Sequence, residues 1–146
     1  MFSFFKKQPV GPPANPLLNT FADTSIEQKQ SVTNLLLCIC TSEGIAMNDA
    51  EFELLSMTSV ALGVDAEKGM KYLNQYKITR LVSDLKRLAD FQKEALISFA
   101  DNMLSLAPAH SVKRLPMVVA LFEQIGISEE RYLATVTRNR ASYKYM

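Results

Sequence analysis

The residues of this chain best suited to chemistry are the acids of one short stretch, Glu43, Asp49, Glu51 and Glu53. Carboxylates gathered in a loop are the ordinary ligands of a hard cation. Calcium takes six to eight oxygens, usually from a loop of about twelve residues closed by a bidentate glutamate. Glu43, Asp49 and Glu51 supply fewer oxygens at uneven spacing. They form a candidate metal patch, and with it an ion-sensing function. The competing reading is local: Asp49 and Glu51 serve the positive end of a helix while Glu43 is solvated.

A second candidate lies at the other end of the chain. Arg131, Tyr132, Arg138, Arg140, Tyr143, Lys144 and Tyr145 follow one another with no acid after Glu130. Cations interleaved with aromatics can hold phosphate and stack on bases, so Arg138, Arg140 and Lys144 are the residues of a nucleic-acid adaptor reading. Cations near a helix C-terminus also complement its dipole, which makes nucleic acid the weaker partner.

Other reactive residues are isolated. Cys38 and Cys40 sit in the apolar run Leu35-Leu36-Leu37-Cys38-Ile39-Cys40. On a helix, positions i and i+2 point apart, so the two thiols read as small buried hydrophobes in a reducing compartment. His110 is the one histidine and stands beside Lys113 and Arg114 without a neighbouring carboxylate. It cannot build a zinc site, which takes three or four protein ligands. No nucleophile stands beside a base, and the five glycines are too scattered for a phosphate loop. Neither an enzyme nor a cofactor is expected.

Composition narrows the setting. The chain has 146 residues, 48% hydrophobic and 21% charged, which suits one folded domain. Sixteen basic and fifteen acidic side chains leave a net charge of +1, so no global field steers it toward DNA or anionic lipid. No segment reaches the ~18 apolar residues of a membrane span, and the N-terminus lacks a secretory pattern. A cytoplasmic protein is expected.

The elements that must hold these residues are helical. Residues 1–22 read as a flexible arm, because Pro9, Gly11, Pro12, Pro13 and Pro16 forbid regular structure. At its tip Phe2, Phe4, Phe5, Lys6 and Lys7 could make a weak contact with a membrane surface. Residues 23–146 form the domain. Asp23 to Ser25 can cap a helix that ends near Thr41, with Ile26, Val32, Leu35, Leu36, Ile39 and Cys40 on its apolar side. Asn48 and Glu51 have the spacing of a capping box for a helix that Gly63 stops, with Phe52, Leu55, Met57, Val60 and Leu62 inward.

Asp65 opens the next helix, which carries Met70, Leu73 and Tyr76, and a short one follows Thr79. Another runs from about Asp90 to Ala107, with Phe91, Leu96, Phe99 and Met103 inward, before Pro108. Pro116 predicts that regular helix resumes only near Leu115, after a looser turn, and ends at Gly126. Ser128 caps the last helix, whose apolar members include Leu133. No alternating strand pattern survives, so the fold expected is all-α, a bundle of about seven helices.

Two of these units match. Leu62-Gly63-Val64-Asp65-Ala66-Glu67 returns as Ile125-Gly126-Ile127-Ser128-Glu129-Glu130, 63 residues on. This pseudo-repeat, with an apolar helix, a Ser42-Glu43-Gly44 loop, a capped acidic helix start and a Leu-Gly-hydrophobic-Asp/Ser stop, resembles the TerB-like domain of tellurite-resistance proteins. The same fold class includes the N-terminal domain of a membrane-anchored co-chaperone, DjlA. The similarity runs over roughly residues 25 to 136. It implies a non-catalytic bacterial protein-interaction module, stress-related and peripheral to the inner membrane, whose partner is another protein. Family loops are often acidic and linked to metal. Here the second counterpart, Ala107 to Arg114, has no carboxylate, so a symmetric two-loop metal site is not expected.

Overall fold

The helix starts follow the side chains that can cap them. In a computed structural model, which describes residues 19–42, 44 and 46–143, Ser25 accepts the amide of Gln28 while Gln28 Oε1 accepts the amide of Ser25. This box opens α1, Ile26–Thr41. Asn48 and Glu51 exchange the same bonds at 2.7 and 2.9 Å and open α2, Asp49–Leu62. Asp65 Oδ1 accepts the amides of Glu67 and Lys68 and opens α3, Ala66–Lys86. Three further helices follow: α4, Asp90–Ser105, α5, Pro108–Ile125, and α6, Glu129–Tyr143. The described residues contain no strand, so the fold is all-α.

The repeat is visible in how its units end. Gly63 and Gly126 both take the left-handed conformation, with φ of 70° and 102°. The residue after each returns its amide to a carbonyl five positions back, Val64 to Ser59 and Ile127 to Phe122. That bond satisfies a helix-end carbonyl that would otherwise lack a partner. The predicted boundary before Thr79 is a break within α3, where Lys77 alone leaves helical geometry at φ 63°, ψ −172°. Counting both sides of it, the described chain from Ile26 onward has seven helical segments.

α1 lies at the centre and packs against α2, α3 and α4, while α4 packs against α5 and α6. Central placement explains why α1 buries nearly its whole circumference from Ser31 to Leu37, polar Ser31, Thr33 and Asn34 included. Phe21 is fully buried against Phe99, ring centroids 6.1 Å apart. Gln92 ties the preceding Thr20 carbonyl and the Asp23 carboxylate to α4. The packed domain therefore begins by Phe21, two residues inside the stretch assigned to the arm. Residues Phe2, Phe4, Phe5, Lys6 and Lys7 lie outside the described residues.

Two expectations are corrected. α5 is helical from Pro108, not from Leu115: Pro108 occupies the first turn, where its missing amide costs nothing, and Pro116 lies on the exposed face. The acceptor that Pro116 leaves unused is the carbonyl of Val112, whose side chain is 81% exposed, where water can take it. His110 thus stands in a first helical turn. Several residues expected inward, Ile26, Phe52, Val60, Met70, Phe91 and Leu133, are instead exposed. Ile26 stands in the first turn of α1, ahead of its buried part; on the outer helices the apolar stripes are wider than the contact each makes with the core.

Candidate functional site

The acidic candidates have different fates. Glu51 is 2% exposed, and while its Oε1 completes the α2 cap, its Oε2 accepts Arg114 Nη1 at 2.7 Å. Arg114, itself 1% exposed, also donates Nη2 to the Cys40 carbonyl at 3.2 Å. One buried ion pair thus ties together the end of α1, the start of α2 and the first half of α5. Two charges taken from water cost several kcal/mol each, so such a pair persists only where further hydrogen bonds support it; here the cap and the carbonyl do so. Asp49, in the same first turn of α2, is exposed, and Glu43 lies outside the described residues. Among the described residues no three His, Cys, Asp or Glu side chains gather as a metal site would require.

The pairing of Arg114 with Glu51 is hidden in the sequence because Arg114 stands in a basic stretch far along the chain. A signal existed. The two are 63 positions apart, the spacing of Gly63 and Gly126, so they are equivalent positions of the pseudo-repeat. Opposite charge there is what makes the approach favourable.

The basic candidates are engaged by α4. Arg138 Nη2 donates to Glu94 Oε1 at 3.0 Å and Arg140 Nη2 to Asp101 Oδ1 at 2.9 Å. Asn139 reaches Ser98, and Arg131 lies 3.8 Å from Asp90. Partners rise together along both helices, so α4 and α6 run in the same direction with α5 reversed between them. Arg138 and Arg140 are about two-thirds exposed, and such pairs contribute only ~0–1 kcal/mol each. They offset the local positive charge without locking it. Lys144 lies outside the described residues.

Both cysteines are free thiols. Burial pushes Cys38 up to about 11. It pushes Cys40 up to about 12, helped by the Glu51 carboxylate. Neither is a thiolate at neutral pH, so neither is a ready nucleophile.

A second buried acid, Asp84, carries no signal in the sequence that marks it out. It is 4% exposed and accepts Ser31 Oγ at 2.7 Å and Tyr72 OH at 3.0 Å on one oxygen, and Arg80 Nε at 3.2 Å on the other. It latches the two parts of α3 to each other and to α1.

Beside a polar concavity lined by Ser25, Glu27, Gln28, Arg80, Asp84 and Arg87, the described surface carries two apolar ones. One groove lies between α2 and α4, floored by Leu54, Met57 and Leu106. Another lies between α5 and α6, with Leu115, Pro116, Val119, Ala120 and Leu133 along it and Glu123 and Glu129 at one end. No protein-family model, curated protein or solved structure matches this chain.

Proposed function

We propose that this chain is a non-catalytic protein-interaction module of TerB-like type, acting through the outer faces of its helices. The observation that carries this reading is the contrast between the polar groups and the apolar surface. Glu51, Arg114 and Asp84 are consumed in buried contacts, and the two thiols are held protonated. Meanwhile large apolar side chains stay in water, Phe52 and Val60 on α2, Val112 on α5 and Leu133 on α6, the last of them lining the α5–α6 groove. The apolar lining of the α5–α6 groove is grouped, and grouped apolar surface marks contact sites more often than single exposed residues do. The stress-related, membrane-peripheral setting rests on the resemblance alone; no helix among the described residues is long and apolar enough to cross a membrane.

Affinity purification of the full chain from native cells tests the reading. Recovery of the same protein in independent purifications, reduced when Val112 and Leu133 or Phe52 and Val60 are made polar, is the expected result. Absence of any specific protein contradicts it.

A further inference from the structure

We infer that the groove between α5 and α6 receives a basic amphipathic helix of a partner protein; the inference rests on the interaction-module reading and assigns it a surface and a partner chemistry. On α5, Val112, Pro116, Val119 and Glu123 follow one another at helical spacing and form one continuous stripe. α6 returns antiparallel after Gly126, which sets Glu129 beside Glu123 near the turn and Leu133 farther along, beside the apolar part. The groove is therefore graded, apolar along its length and acidic at the turn.

Its hydrogen-bonding character has one sign. Each polar side chain that lines it is a carboxylate, and neither Glu123 nor Glu129 is engaged by a described cation. Lys93 reaches the Gly126 turn from α4 but does not line the groove. A surface that offers acceptors and no side-chain donor selects a ligand that brings donors. An acidic or neutral apolar helix would bury the two carboxylates unpaired, a cost that a lysine or arginine removes.

Geometry sets the rest. From Val112 to Glu123 the stripe extends roughly three helical turns, about 16 Å at 1.5 Å per residue. That length fits a helix presenting apolar side chains at i, i+3 or i+4 and i+7, with its cations one turn further on. Such a helix would lie on the side of α5 and α6 away from α4 and enclose the pair.

The test uses two labelled probe peptides of identical apolar stripe, one ending in lysines and one in glutamates, titrated by fluorescence anisotropy into the full chain. The lysine peptide is expected to bind, the glutamate peptide to fail, and the double variant E123K/E129K to weaken the lysine peptide about tenfold with a loss of salt dependence. E53K in the α2–α4 groove, an equal change of charge for a single site, is expected to leave binding unchanged. Equal binding of both peptides, or equal loss from E53K and E123K/E129K, overturns the assignment. In native purifications, a partner whose capture is insensitive to E123K/E129K also overturns it while leaving the interaction-module reading intact. Recovery of no partner at all defeats that reading first.

Discussion

Among single residues, Arg114 has the widest consequences. It is the largest fully buried side chain of the described residues, and its charge is answered by Glu51. Removing one partner of such a pair strands the other, so Arg114→Ala is expected to lower unfolding free energy by about 3–5 kcal/mol in denaturant titration. Glu51→Ala loses the α2 cap as well. The double variant should cost less than the two single changes added together, because no buried charge is left unpaired; strict additivity would show that the two do not interact. The thiols supply a pH signature of their own. Cys38 and Cys40 stay protonated in the folded protein to about 11 and 12, against 9.0 for an exposed thiol. Their contribution is constant below pH 9 and is lost above it as the unfolded chain ionises first, at about 1.4 kcal/mol per thiol for each pH unit that separates the two ionisations. Stability measured from pH 9 to 12 is therefore expected to fall, and to fall less steeply in C38A/C40A. Parallel curves for the two proteins would contradict the burial of these thiols.

Among the helices and their connections, the ends were the most legible part of the sequence. Asn48 with Glu51, Asp65, Gly63 and Gly126 are local devices whose geometry depends on few neighbours, and each stands where its residue type predicts. Pro116 misleads because a proline on an exposed helical face does not need the chain to unwind around it. Faces were less legible than ends. Phe52 and Val60 share the period of Leu55 and Leu62, and only the position of α1 decides which of them meets the core. Lys77 makes its difference through α3 as a whole. Its conformation, φ 63° and ψ −172°, is one that side chains adopt at a cost of about 1–3 kcal/mol. Lys77→Gly removes that strain while adding freedom to the unfolded chain, worth roughly 0.5–1 kcal/mol. A net gain of up to about 2 kcal/mol is expected in thermal or chemical unfolding. A loss of stability would mean that Lys77 is held by contacts rather than tolerated.

Across the whole molecule, the pseudo-repeat explains more than either copy does. Its shared parts, the glycine stops and the caps, build the bundle. Its difference, Glu51 in one copy against Arg114 in the other, closes the bundle at the place where a paired acidic site would need two carboxylates. Of the candidate residues, Glu51 had its cap partner Asn48 legible three positions away; the ion-pair partners came from contacts across 39 to 63 positions, which no local pattern encodes. The same holds for the α5–α6 groove, whose lining was not read from the sequence, Leu133 being expected inward, and whose acid end emerges only once α6 folds back on α5. Occupation of that groove by a partner can be read by site-specific photocrosslinking in native extract, with the crosslinker placed at 133 in the groove or at 78 on α3. A discrete adduct is expected from position 133, mapping to a basic amphipathic segment of one protein, and none in common from position 78. Adducts from 78 alone, or the same diffuse set from both, would rule the groove out as the docking surface.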